Sequence, residues 1–147
     1  MMLVLMIGTA MMAITVAIHV LGSVRWLIFV GRWLAGHTRQ AQTAPLFLIM
    51  LGTATALLLL HALEALLWAL VYYGMPERSG LTDFAEALYF SLVTLTTLGY
   101  GDVTLNTDLR LLAGMEAMVG IVVFGMTTAL LMAVIQRSWK ITRRNPK

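Results

Sequence analysis

Three long apolar runs dominate the sequence and limit what the chain can fold into. They cover residues 2–24, 46–73 and 109–136, and each is long enough to cross a bilayer, which takes about 20 mostly apolar residues. Charged residues make up only 12% of the chain, about half of the share of roughly 25% that is usual in soluble domains. The sequence therefore predicts an all-α integral membrane protein with three transmembrane helices.

The basic residues lie in two clusters that predict the orientation of the chain. One cluster follows the first apolar run and the other follows the last: Arg25, Arg32 and Arg39, then Arg137, Lys140, Arg143, Arg144 and Lys147. Because Lys and Arg collect on the cytoplasmic side, the N-terminus is expected outside and the C-terminus in the cytoplasm. The same distribution explains the net charge of +3 without nucleic acid. The basic tail is expected either to contact anionic membrane lipid or only to enforce the topology. Short loops favour a prokaryotic inner membrane.

The segment between the second and third runs contains a shorter apolar helix, predicted at residues 83–96. Asp83 is the expected N-cap, and Glu86 stands in the capping-box position three residues later. At 1.5 Å per residue such a helix is about 20 Å long, too short for a bilayer core of roughly 30 Å. It is therefore expected to enter the membrane and return, which is tolerated only inside protein or beside water.

The residues that follow this helix have the pattern of a cation-binding backbone. Gly99 and Gly101 stand at alternate positions, where glycine adopts positive φ without steric cost. Such alternation turns consecutive carbonyls toward one axis, and the Thr97 hydroxyl can add a further oxygen. The C-terminal end of the preceding helix carries a partial negative charge that favours a cation. Because one chain supplies one wall, the site requires several copies around an axis.

Residues 96–102, Thr-Thr-Leu-Gly-Tyr-Gly-Asp, resemble the potassium-channel signature T-V-G-Y-G-D, with leucine in the place of valine. The stretch before them resembles the pore helix of the same family. The resemblance implies a homotetramer whose pore domain covers residues 46–136, with an outer helix at 46–73, a pore helix at 83–96, a selectivity filter at 97–102 and an inner helix at 109–136. An extra N-terminal helix at 1–34, a cytoplasmic loop at 35–45 and a basic tail at 137–147 complete the predicted organisation.

The resemblance also implies roles for individual residues. The carbonyl groups of the filter would bind K⁺, and these belong to Thr97, Leu98, Gly99 and Tyr100. Support for the filter would come from Tyr89, Thr96, Gly101 and Asp102, with Asp102 paired to Tyr89. The cavity and gate would be lined by Gly120, Ile121, Phe124, Thr128 and Met132.

Glycines inside the third run have two explanations. A glycine within a helix costs about 1 kcal/mol relative to alanine, and close packing of membrane helices is one reason to accept that cost. The other is a hinge, which the resemblance assigns to Gly120. Both explanations stay open for Gly120, whereas packing is favoured for Gly125.

Ionisable residues inside membrane helices are functional candidates by default. Glu64 and Glu116 are each expected to be protonated or hydrogen-bonded to the pore-helix backbone, bracing the filter, with pH or ion sensing as the alternative. His61 lies one turn before Glu64, so a local hydrogen bond is favoured over a metal site, because two ligands do not complete one. His19 stands alone in the first run and is expected to be a packed or interfacial histidine.

The predicted function is passive, potassium-selective conduction with no cofactor other than the conducted ions. Two alternatives remain: a non-selective monovalent cation channel, and a non-conducting subunit of a partner transporter or channel. An enzyme is not expected, because no nucleophile or metal constellation surrounds the intramembrane acid and base candidates. The N-terminal helix is expected either to pack outside the pore helices or to recruit another membrane protein.

Overall fold

A computed structural model of the chain describes residues 1–36, 43–106 and 109–144. These residues form five helices and no strand: α1 (Met2–Gly36), α2 (Thr43–Tyr73), α3 (Pro76–Ser79), α4 (Phe84–Leu95) and α5 (Arg110–Arg144). Three of them, α1, α2 and α5, are long and apolar enough to cross a membrane. The predicted fold class, all-α with three transmembrane helices, is therefore confirmed.

Several helix bounds differ from the sequence-based expectation. The inner helix α5 continues to Arg144, so most of the predicted tail at 137–147 belongs to it. The helix α1 continues to Gly36 and α2 begins at Thr43, so both extend into the predicted loop at 35–45. The rest of that loop and residues 145–147 lie outside the described residues.

The three long helices pack side by side, with α1 and α5 parallel and α2 antiparallel to both. At one end Val4 of α1 belongs to the same buried cluster as Tyr72 of α2 and Leu112 of α5. At the other end Val30 packs with Ile49 and Val134. The short helix α4 lies against α2 and α5, near the first of these ends.

The buried face of α1 is partly polar. Thr15, His19 and Ser23 are buried at intervals of four residues, which places them on one side of a helix with 3.6 residues per turn. The Trp68 indole nitrogen of α2 donates a hydrogen bond of 3.0 Å to Thr15 Oγ1. Polar side chains between membrane helices are stabilised by such partners. The helix α1 thus packs against α2 and α5 of its own chain.

The helix α4 begins at the predicted place but is not capped as expected. Asp83 is the N-cap residue, with an extended backbone (φ −106°, ψ 136°), but its side chain makes no capping hydrogen bond. The Asp83 carbonyl accepts the first helical hydrogen bond from Ala87, at 3.1 Å. The helix has 12 residues and is about 18 Å long, so it enters the apolar layer without crossing it.

Candidate functional site

The backbone turns sharply where α4 ends. The Val93 carbonyl accepts hydrogen bonds from the backbone N–H groups of Leu98 (3.0 Å) and Gly99 (3.2 Å), and the Thr94 carbonyl accepts one from Thr97 (2.9 Å). Carbonyls of the last helical turn lack intrahelical partners, and here they hold the segment that follows. The chain therefore reverses at the depth that α4 has reached.

The reversed segment alternates the sign of φ. Thr97 (59°), Gly99 (56°) and Gly101 (79°) have positive φ, whereas Leu98 and Tyr100 between them do not. Positive φ is ordinary for glycine, but in a β-branched residue such as Thr97 it is a genuine outlier. Strain of this kind costs of order 1–3 kcal/mol and concentrates at functional sites. The alternation differs from an ordinary strand, in which successive groups point to opposite sides.

The segment lies open on one side of the single chain. Leu98 is 55% exposed and Tyr100 is 68% exposed, and Thr96 to Asp102 are all classed as exposed. The Thr96 hydroxyl turns back to the Leu92 carbonyl, at 2.7 Å. The single chain therefore leaves one side of the segment uncovered.

One side-chain hydrogen bond joins the end of the segment to α4. The Tyr89 hydroxyl donates to Asp102 Oδ2 at 2.7 Å, the pairing that the resemblance implies. This hydrogen bond holds the pKa of the Asp102 carboxyl below its ordinary value, because the hydroxyl stabilises the ionised form. The bond therefore connects α4 to Asp102, the residue that follows Gly101.

Glu116 lies behind α4, fully buried. Its Oε2 accepts a hydrogen bond of 2.7 Å from the Tyr72 hydroxyl of α2. Its Oε1 lies 2.5 Å from Ser91 Oγ of α4, and Ser91 Oγ also lies 2.7 Å from the Ala65 carbonyl of α2. Glu116 therefore braces α4 through the Ser91 side chain rather than through its backbone, and it links α2, α4 and α5.

Gly120 is a close-packing position. A Cβ atom there would overlap the backbone carbonyl oxygen of Leu95, the last residue of α4. At Gly114 and Gly125 a Cβ atom would meet nothing within 4 Å. Of the two explanations for Gly120 the structure supports packing, whereas no described residue packs closely at the Cβ position of Gly125.

The predicted cavity residues of α5 differ in how far the rest of the chain covers them. Ile121 and Met132 are 65% and 53% exposed, and Thr128 is exposed on the same side. Phe124 differs, because its ring stacks on the His61 ring of α2, with centroids 4.2 Å apart and planes at 18°. Within the subunit Phe124 is thus a packing partner of α2.

Glu64 contacts two histidines instead of the pore-helix backbone. It is fully buried, and its two carboxylate oxygens lie 2.9 Å from the Nδ1 atoms of His19 and His61. The local hydrogen bond expected between His61 and Glu64 is present. His19 is fully buried, as expected for a packed histidine, and α1 also brings it to Glu64.

Several residues of these networks had no signal in the sequence. Tyr72, Ser91 and Thr127 each contact an ionisable group of another helix. Ser, Thr and Tyr are common in membrane helices, and their partners lie 25 to 66 residues away in the chain. Only the packing of the helices brings these groups together.

Comparison with known proteins gives one match. Residues 59–137, more than half of the chain, match the model of a family described as "Ion channel". No curated protein and no solved structure matches the chain. The matched residues include the end of α2, the whole of α4, the alternating segment and most of α5. With three helices long enough to cross a membrane, the chain is a multi-pass membrane protein that belongs to this ion channel family.

Proposed function

We propose that the chain is one subunit of a homotetrameric, potassium-selective channel that conducts K⁺ passively and needs no cofactor. The observation that carries the proposal is the alternation of φ at Thr97, Gly99 and Gly101. A backbone of this kind can present consecutive carbonyl oxygens to one axis, and such rings replace the hydration shell of K⁺. In this proposal the carbonyls of Thr97, Leu98, Gly99 and Tyr100 bind the ions, and the Thr97 hydroxyl adds an oxygen.

Two features support assembly around an axis. The exposed alternating segment provides only one wall of a site, so four copies would enclose the ions and cover Leu98 and Tyr100. The exposed face of α5 contains Ile121, Thr128 and Met132, which would line the cavity below the ions. We place the Asp102 end outside the cell and both basic clusters inside, in a prokaryotic inner membrane.

The geometry of α4 supports a cation as the conducted ion. Its C-terminal end leads directly into the alternating segment, and that end of a helix carries about half a negative charge. The residues that would form the wall carry no charged side chain between Thr96 and Gly101. The selectivity would therefore come from backbone oxygens, while Asp102 and Tyr89 hold the outer end of the segment.

The test is ion flux from the purified chain reconstituted in liposomes, measured for K⁺ and Na⁺ separately. We expect K⁺ flux well above Na⁺ flux, and its loss in Gly99→Ala. A Cβ atom at Gly99 would meet nothing within 4 Å, so only its φ of 56° opposes the substitution. Gly114→Ala is the matched control, because Gly114 has the same open space without positive φ.

The outcomes separate the alternatives. Equal K⁺ and Na⁺ flux that is lost in Gly99→Ala would replace the proposal with a non-selective cation channel. Folded protein without flux for either ion would indicate a non-conducting subunit of a partner protein. Chemical cross-linking in the same liposomes should give a tetramer, and a different oligomer would overturn the proposed assembly.

A further inference from the structure

Three long helices meet at a cluster of two histidines and a glutamate. His19 comes from α1, and His61 and Glu64 come from α2; Thr127 of α5 closes the cluster on the far side. His19 and Glu64 are 0% exposed and His61 is 7% exposed. The family match covers residues 59–137, so it includes every member of the cluster except His19.

We propose that this cluster is a binding site for a divalent transition metal ion of the Zn²⁺ type, with His19, His61 and Glu64 as ligands. One ligand atom from each residue lies within 4.8 Å of the other two. Two imidazoles and a carboxylate are a known ligand set for zinc, with a fourth position left to solvent. Mg²⁺ and Ca²⁺ prefer oxygen ligands, whereas imidazole suits Zn²⁺ and its neighbours.

The distances fit an ion after small movements. Both histidine Nδ1 atoms lie 2.9 Å from an oxygen of Glu64. Ligands at about 2.0–2.1 Å from one tetrahedral zinc ion are about 3.3 Å apart. The two nitrogen–oxygen distances therefore have to lengthen by a few tenths of an ångström, which side-chain rotation provides.

The Nε2 edge of each imidazole, opposite the proposed ligand atom, is already positioned by Thr127. Thr127 Oγ1 lies 2.8 Å from His61 Nε2 and 3.4 Å from His19 Nε2. When both Nδ1 atoms bind an ion, both Nε2 atoms carry hydrogen, and the two lone pairs of one hydroxyl can accept from both. Hydrogen bonds of this kind fix the tautomer and direction of metal-binding histidines.

Ring packing also holds the two histidines in place. The His19 and His61 rings are stacked, with centroids 5.2 Å apart and planes at 28°, and Phe124 stacks on His61 from α5. Both rings therefore present their Nδ1 edges to the same carboxylate. A ligand set held in this way loses little side-chain freedom when an ion binds.

Charge favours an ion at this place. The Glu64 carboxylate is buried among apolar helices, where an uncompensated charge is costly. A divalent ion compensates it, and a solvent ligand that loses a proton on the ion brings the whole site to neutrality, since zinc lowers the pKa of bound water to about 7. The bound ion would join α1 to the pore helices and give the N-terminal helix a structural task.

The test uses the full chain, purified without an affinity tag and treated with a chelator, then titrated with Co²⁺ and with Zn²⁺. We expect one ion per chain and a Co²⁺ absorption spectrum typical of tetrahedral nitrogen and oxygen ligands. His19→Asn, His61→Asn and Glu64→Gln should each weaken Zn²⁺ binding by more than about 100-fold, and Thr127→Val by about 10–100-fold, the usual cost of removing a hydrogen-bond partner of a ligand.

Two control variants make the result specific. His37→Asn removes the remaining histidine of the chain, and Glu116→Gln changes the other fully buried carboxylate among the described residues; both should bind Zn²⁺ like the unaltered chain. Circular dichroism checks that each variant is folded. Absence of binding to the folded, unaltered chain, or unchanged binding in folded His19→Asn, would overturn the proposal and leave a hydrogen-bonded cluster only.

Discussion

Gly120 of α5 lies against the backbone carbonyl of Leu95, so closely that no side chain fits between them. Leu95 is the last residue of α4, and the alternating segment follows it directly. The position of α5 therefore determines where the short helix ends and where the segment begins.

This contact predicts that Gly120→Ala is destabilising. The added methyl group meets a backbone atom, which cannot rotate away as a side chain can, and overpacking of this kind costs about 1–3 kcal/mol. We expect a lower melting temperature for the purified protein and reduced K⁺ flux in liposomes. Gly125→Ala, with open space at its Cβ position, should retain both. A folded Gly120→Ala protein with an unchanged melting temperature would favour the hinge instead.

The hydrogen bond from Tyr89 to Asp102 predicts an acid-dependent loss of flux. The Asp102 pKa is lowered in the folded chain, so its contribution to stability is fully present above its ordinary pKa of about 3.9 and is lost as pH falls through the lowered value. Tyr89→Phe removes the donor and returns the pKa toward its ordinary range. The midpoint for loss of K⁺ flux should therefore lie at higher pH in Tyr89→Phe.

The matched control for this experiment is Tyr73→Phe. Tyr73 is also exposed, at 45%, and its ring packs edge-on against Phe84, so the substitution removes a hydroxyl without removing an aromatic contact. It should show the acid midpoint of the unaltered chain. Equal midpoints for Tyr89→Phe and the unaltered chain would contradict the assigned role of the hydroxyl.

The hydrogen-bond geometry around Glu116 predicts that its carboxyl is protonated. Ser91 has one hydroxyl hydrogen, and its oxygen contacts both the Ala65 carbonyl, which can only accept, and Glu116 Oε1. When Ser91 donates to Ala65, the hydrogen between Ser91 and Glu116 belongs to the carboxyl. Glu116→Gln preserves this pattern, because its N–H donates to Ser91 and its carbonyl accepts from Tyr72.

We therefore expect Glu116→Gln to melt near the temperature of the unaltered chain. Glu116→Leu leaves the Tyr72 hydroxyl without its acceptor, and a buried group without a partner costs about 1–3 kcal/mol. Thermal unfolding in detergent, followed by circular dichroism, compares the two variants. A Glu116→Gln protein as unstable as Glu116→Leu would show that the carboxyl is ionised.

The sequence predicted the fold class because hydrophobic length is a local property. Each long helix was predicted from its own apolar run, and α4 was predicted from its short length and its place between two runs. The same holds for Gly99, whose need for positive φ depends on the immediate backbone. Features of this kind require no knowledge of what packs against them.

Contacts between helices could not be predicted in the same way. His19 and Glu64 are 45 residues apart, and their pairing depends on which face α1 turns toward α2. The choice between hinge and packing for Gly120 likewise depends on how closely α4 approaches α5. A capping residue also requires a particular side-chain rotamer, which explains why Asp83 occupies the N-cap position without making the hydrogen bond.

The contacts of α1 with α2 have a consequence for how the subunit responds to its membrane. Thr15 and His19 are one turn apart on α1, and their partners Trp68 and Glu64 are one turn apart on the antiparallel α2. Sliding one helix past the other by one turn, about 5.4 Å, breaks both hydrogen bonds at once. Isolated helices accommodate a thinner or thicker bilayer by tilting separately. These two helices must therefore tilt together, as one rigid unit beside the pore.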